Sequence, residues 1–168
     1  IYKWVKKFSL KIANYTDKLK LQTGSYIEVD EMEFHRRKSY KRKLGVDKNW
    51  FIDGIDVKTR FMINSAYVKN RSKENIKKVL SRIKDKTGEQ VKIVTTDGLT
   101  AYDNVVKKSW GYDSKIGEYK VEHKVVTASK GEGFNIWIER LHNTIRQRTK
   151  GFRGFHGSIE SANALMKG

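Results

Sequence analysis

Apolar residues recur along this chain with two different periods, and the switches between them mark out its elements. Ile1, Trp4, Val5, Phe8, Leu10 and Ile12 fall at helical spacing among lysines, so residues 1–20 predict a basic helix. Ser25 to Phe34 reads as a strand. Asn49 to Val57 and Arg60 to Val68 are rich in β-branched and aromatic residues and predict two more, with a turn at Asp56 to Thr59. Ser72, with Asn75 three residues on, opens a helix whose stripe of Ile76, Val79, Leu80 and Ile83 ends before Gly88. Val91 to Thr95 predicts a short buried strand, parallel to the first because a helix intervenes. A helix over Leu99 to Lys108, a strand over Val121 to Thr127, a loop over Ala128 to Gly133 and a helix over Phe134 to Arg148 complete the order.

Three strands, a helix, a strand, a helix, a strand and a helix is the order of a ribonuclease H-like fold. The expectation is therefore an α/β domain with a mixed five-stranded sheet flanked by helices, spanning residues 23–168, with residues 1–22 as a basic helical linker. A length of 168 residues with 38% hydrophobic content suits one compact core. Lys plus Arg total 36 against 19 for Asp plus Glu, and the resulting charge of +17 is spread over the whole chain, which points to a polyanion partner. A lysine-rich surface from an AT-rich genome or a thermophile is the bland alternative. The lack of cysteine excludes disulfides and thiolate metal sites. With no signal peptide and no long apolar run, the expectation is a cytoplasmic protein with no membrane partner. Ile1 to Phe8 reads as a helix already under way, so the chain is expected to be a fragment.

Three acids stand out against this basic background: Asp30 in Tyr-Ile-Glu-Val-Asp-Glu, Asp97 in Val-Thr-Thr-Asp-Gly, and Glu139 in Asn-Ile-Trp-Ile-Glu-Arg-Leu-His. Asp30 follows Ile27 and Val29 in a run where acids are disfavoured, and Asp97 ends a strand beside a glycine that permits a tight turn. Neighbouring strands would bring Asp30 and Asp97 together. On the last helix, 100° per residue puts Phe134, Ile138, Leu141 and Ile145 on one side and Asn135, Glu139, His142 and Arg146 on another. Glu139 would then complete the cluster. Like charges so close call for divalent cations, and oxygen ligands without cysteine favour Mg²⁺ or Mn²⁺. Such a cluster suits two ions about 3.5 to 4 Å apart, one activating a water or 3′-hydroxyl and one stabilising the leaving oxygen of a phosphodiester. His142 either contacts the scissile phosphate or is a plain packing or surface histidine. Trp137 and Phe152 are expected in the core.

Val29-Asp30-Glu31, Thr96-Asp97-Gly98 with Tyr102 after it, and Ile138-Glu139-Arg140-Leu141-His142 form an ordered set of blocks. Arg146-Gln147-Arg148 and Gly151-Phe152-Arg153-Gly154-Phe155 follow them. Together they resemble the catalytic blocks of insertion-sequence DDE transposases, above all the "insertion sequence six" family of bacteria and archaea, from about Tyr26 to Leu165. The resemblance implies an integrase-type ribonuclease H-like core with Asp30, Asp97 and Glu139 as the metal-binding triad. It also implies DNA cleavage followed by attack of the freed 3′-hydroxyl on target DNA, and a homo-oligomer acting on transposon ends rather than on a small-molecule substrate. The interval between Asp97 and Glu139 is longer than the family's, which predicts an insertion near Tyr112 to Lys130. The family's helix-turn-helix is missing; residues 1–8 resemble only its end. The basic runs Arg36, Arg37, Lys38, Lys41, Arg42 and Lys43, and Arg140, Arg146, Arg148, Lys150 and Arg153, would hold DNA phosphates, giving an affinity that falls steeply with salt. A nuclease of the same fold without strand transfer, or an inactive remnant that only binds DNA, are the alternatives.

Overall fold

The computed structural model describes residues 2–37, 46–127, 135–152 and 158–167. Helix α1 (Tyr2–Thr16) leads into β1 (Tyr26–Glu33). A small ladder of β2 (Arg36–Arg37) with β3 (Val46–Asp47) precedes β4 (Trp50–Asp56) and β5 (Met62–Val68). Helix α2 (Lys73–Thr87), β6 (Ile93–Thr96), α3 (Val105–Trp110), the hairpin β7 (Tyr112–Asp113) and β8 (Glu118–Tyr119), and β9 (Glu122–Val125) follow. Helices α4 (Ile136–Thr149) and α5 (Ile159–Lys167) close the chain.

The main sheet has the order β5-β4-β1-β6-β9. β1, β4 and β5 form an antiparallel meander, while β6 runs parallel to β1 and β9 parallel to β6. The β4–β5 turn is tied by Asp56, whose carboxylate accepts from the Thr59 N–H and hydroxyl and from the Gly24 N–H. Crossing back through α2 makes the next pairing parallel, as short connections cannot do.

Side chains of β1 alternate between two cores. Ile27 and Val29 meet Ile76, Val79, Leu80 and Ile83 of α2, and Val106 and Trp110 of α3. Met32 packs with Phe51, Tyr67, Ile145 of α4 and Ala162 of α5 on the other side. The α2 stripe is fully buried, at about 1.5–3 kcal/mol for each large aliphatic side chain. Ser72 caps this helix by accepting the Asn75 N–H, and Gly88 ends it at φ 62°, where an L side chain is strained. Gly54 of β4 lies directly under Ile83, and a Cβ there would collide with its Cδ1. On the outer edge of β5, the Asn163 amide of α5 donates to the Tyr67 carbonyl and accepts from its N–H at 2.9 and 2.8 Å, blocking strand addition there. Helix α1 packs against α5, burying Ser9 and Ala13. No helix among the described residues is long and apolar enough to cross a membrane.

Several elements differ from the sequence expectations. The helix expected over Leu99 to Lys108 starts only at Val105, because the Asp97 carboxylate takes the Leu99 N–H and the Tyr102 N–H turns back to the Leu99 carbonyl. Helix α1 stops at Thr16 rather than residue 20, where the Thr16 hydroxyl folds back onto the Ala13 carbonyl. The described part of the stretch expected to hold an insertion, residues 112–127, forms the β7–β8 hairpin and β9, and α5 is an element that the sequence expectations do not include. The expected loop at Ala128 to Gly133, and Phe134, lie outside the described residues.

Candidate metal centre

Asp30 and Asp97 meet just beyond the last paired residues of the parallel β1–β6 ladder, Asp30 inside β1 and Asp97 one residue after β6. β1 and β6 pair through Tyr26–Ile93, Ile27–Val94 and Glu28–Thr95, and two residues further along each strand the register reaches Asp30 and Asp97. Pairing with β6 stops at Glu28, leaving space beside Asp30 and Glu31 for side chains to turn toward Asp97. One carboxylate oxygen each from Asp30, Glu31 and Asp97 lies within 4.8 Å of the others.

The electrostatics of this group are unfavourable for three anions. Burial pushes the Glu31 carboxyl up to about 8, with Asp97 and Asp30 adding to the shift and Arg71 opposing it. Burial also raises Asp30, against the pull of His142 and its bond from the Glu31 N–H at 2.7 Å. The Tyr102 ring is fully buried, and its hydroxyl is raised well above its ordinary value by burial and then by Glu31, Asp30, Asp97 and Asp53. Among the described residues that hydroxyl, Glu31 Oε1 and Asp53 Oδ1 are buried without a hydrogen-bond partner. Crowded carboxylate oxygens of this kind could hold a metal ion.

Asp53, directly across from Asp30 in the β1–β4 register, is completely buried. Its Oδ2 is 3.0 Å from His142 Nε2, while His142 Nδ1 is 3.7 Å from Asp30 Oδ2. His142 is therefore bracketed by two carboxylates in a buried position, as the packing alternative expects, with its hydrogen bond made to Asp53. The expected polar stripe of α4 splits in consequence. Asn135 and His142 are buried and Glu139 and Arg146 are exposed. The reason is angular: His142 lies about 40° from Ile138 and about 60° from Ile145, so it shares their inward face.

Glu139 stands on the exposed side of α4 and is not among the carboxylates brought within 4.8 Å of one another. It remains on the Asp30 side of the sheet, near enough that its charge raises Glu28. Glu28 itself is a buried acid whose Oε2 accepts the N–H groups of Trp137 and Ile138, both at 2.9 Å. It caps α4 from β1, where unpaired N–H groups and the helix dipole favour a carboxylate. Burial raises its pKa, and those two bonds oppose the rise. Alternation along β1 could have revealed it, since Glu28 shares a face with Asp30 and lies between apolar neighbours.

Of the expected phosphate contacts, Arg140, Arg146, Arg148 and Lys150 are exposed on or just after α4. Arg36 and Arg37 belong to β2, paired with Asp47 and Val46. Lys38, Lys41, Arg42, Lys43 and Arg153 lie outside the described residues, as does the Phe152 side chain. Trp137 is half-buried rather than in the core, and the guanidinium groups of Arg60 and Arg140 lie over its ring. Comparison with protein-family models and with curated proteins finds no match to this chain, so its site is interpreted from its own residues.

Proposed function

We propose that this protein is the catalytic core of a DDE transposase with a ribonuclease H-like fold, cutting DNA and joining the freed 3′-hydroxyl to a target. The observation that carries the reading is the meeting of Asp30 and Asp97 just past the end of the parallel β1–β6 ladder in a chain of charge +17. An acidic centre in a basic shell suits a substrate that is itself an anion and must be held beside a cation. The strand order, three antiparallel strands followed by two parallel ones on the far side of β1, is compatible with the fold.

Each residue has a part in this reading. Asp30 and Asp97 hold the cation, which would stabilise charge on the phosphodiester and activate the attacking hydroxyl. His142, fixed by Asp53, keeps Asp30 in place. Glu139 is the third acid of the resemblance, on a helix that Glu28 pins to β1. Arg140, Arg146, Arg148 and Lys150 bind the DNA backbone beside it.

The test is a labelled DNA duplex incubated with the protein in Mg²⁺ or Mn²⁺, beside the Asp97→Asn variant. Nicked and joined products that need metal and disappear in the variant are the expected result. Nicks without joining would make the protein a nuclease of the same fold. Tight DNA binding with no product in either metal would reject the enzymatic reading.

A further inference from the structure

Glu31 has no place in the triad implied by resemblance, yet its carboxylate reaches the site beside Asp30 and Asp97. Strand alternation sends it to the opposite face from Asp30. At Glu31 the sheet has no β6 partner, so its carboxylate can turn toward the same gap as Asp30 and Asp97, where one oxygen of each falls within 4.8 Å of the others.

A second observation points to the same place. Tyr102 is 0% exposed, its hydroxyl has no hydrogen-bond partner among the described residues, and the acid whose charge reaches it most strongly is Glu31. A buried hydroxyl left unpaired costs about 1–3 kcal/mol. Glu31 Oε1 is unpaired as well, and no lysine or arginine among the described residues forms a salt bridge with Asp30, Glu31 or Asp97. Arg71 acts on Glu31 only from beyond ion-pair distance, and the one ionisable base in ion-pair range of the three acids among the described residues is His142, beside Asp30. A hydrated divalent cation answers both deficits: it neutralises the carboxylates, and its remaining waters can pair with the phenol.

We propose that Glu31 is a ligand of the divalent cation: Asp30, Glu31 and Asp97 form a cation site that the protein carries without DNA, with the Tyr102 hydroxyl beside it and Glu139 outside it. Any role of Glu31 in strand transfer rests on the transposase reading, whereas cation binding is measured on the protein alone.

The experiment is a titration of Mn²⁺ into the purified protein without DNA, following free Mn²⁺ by its electron paramagnetic resonance signal. Glu31→Gln and Asp97→Asn are each expected to weaken binding by at least about tenfold, the loss typical even of residues supporting a metal ligand. Glu139→Gln is expected to leave affinity unchanged. Wild-type affinity in Glu31→Gln, or no Mn²⁺ binding by the wild type at the concentrations that support cleavage, overturns the proposal.

Should Glu31→Gln fail to fold, wild-type protein with ¹³C at the glutamate δ-carboxyls gives the answer. Mg²⁺ is expected to move a resonance that persists in Glu139→Gln; a single Mg²⁺-sensitive resonance that vanishes in that variant overturns the proposal. Mn²⁺ bound through Glu31 with no DNA cleavage would reject the transposase reading alone. Cleavage with Mn²⁺ affinity untouched in Glu31→Gln would reject the ligand assignment alone.

Discussion

Asp17 just after α1 and Glu31 near the end of β1 are both acids at the margin of an element, and the chain surrounds them in opposite ways. Asp17 receives Lys86 at 3.1 Å and Lys167 at 3.0 Å, two lysines whose side chains are only 10% and 13% exposed. Burial alone would raise the Asp17 carboxyl, but hydrogen bonds and charge from Lys167 and Lys86 outweigh it and hold it below its ordinary value. Glu31 instead faces Asp97 and Asp30, and its carboxyl is pushed up to about 8. Cations are not scarce in a chain with 36 basic and 19 acidic residues. Asp17 ties α1 to α2 and α5, whereas on the proposed reading the β1 cluster is completed by a cation.

The strongest way to break this contrast is by activity. Asp30→Asn and Asp97→Asn each lower DNA cleavage by at least about a thousandfold, the scale of losing one preorganised group that stabilises developing charge. Asp17→Asn leaves the rate of cleavage by folded protein unchanged. Equal losses in all three variants, measured on a labelled duplex, would mean that the two regions differ in charge but not in role.

Stability against pH separates them next. Glu31 keeps its proton in the folded protein up to about pH 8, while an unfolded chain releases it near 4.5. The folded form therefore binds more protons between those values, and stability falls as pH rises through that window. Asp17 has the opposite sign, its contribution being present above 3.8 and lost as pH falls through its depressed folded value. The metal-free midpoint of thermal unfolding is expected to drop from about pH 5 to about pH 8, with Mg²⁺ restoring it most at the upper end. A drop of the same size in Glu31→Gln would remove Glu31 as its cause.

What is legible in the sequence follows from how local each signal is. Asp30 and Asp97 stand out because each acid follows a short apolar run, and the strand order that joins them depends on one crossover helix. Glu31 is hidden by the same alternation rule that reveals Asp30, since the rule does not record where pairing with β6 stops. Asp53 and Glu28 are buried acids whose partners, His142 and the first turn of α4, lie 89 and more than a hundred residues away. No periodicity within β1 or β4 encodes such partners. Polarity groups His142 with Glu139, though its angle on the helix places it with Ile138 and Ile145. Helix α5 escapes notice because only Ile159, Ala162, Leu165 and Met166 mark its inner face, two turns that are too short to stand out.

Glu28 sharpens the comparison because it is an acid of β1 that is satisfied, by backbone donors rather than by lysines. Glu28→Ala leaves the N–H groups of Trp137 and Ile138 buried without their acceptor and is expected to cost about 2 kcal/mol in denaturant unfolding. Glu28→Gln, which keeps an acceptor oxygen, costs less. Unchanged stability in Glu28→Ala would show that α4 stays seated through Ile138, His142 and Ile145 alone.

The smallest effect is also the sharpest in sign. At neutral pH the metal-free protein must protonate Glu31 on folding, and Glu31→Gln removes that cost, so the variant is expected to be more stable by about 1 kcal/mol, as often happens when a strained functional group is replaced. Asp17→Asn removes the partner of two lysines and is expected to destabilise by somewhat less than about 1 kcal/mol, because the Asp17 side chain is 37% exposed and solvent screens the pair. Denaturant titrations of both variants at neutral pH without metal measure the two signs directly. In saturating Mg²⁺ the order at Glu31 reverses, since the wild type gains ligand-binding energy that the glutamine variant has lost. A shared sign for the two variants without metal would mean that the acids of β1 are as well neutralised as Asp17, and the case for a cation at Glu31 would fail with it.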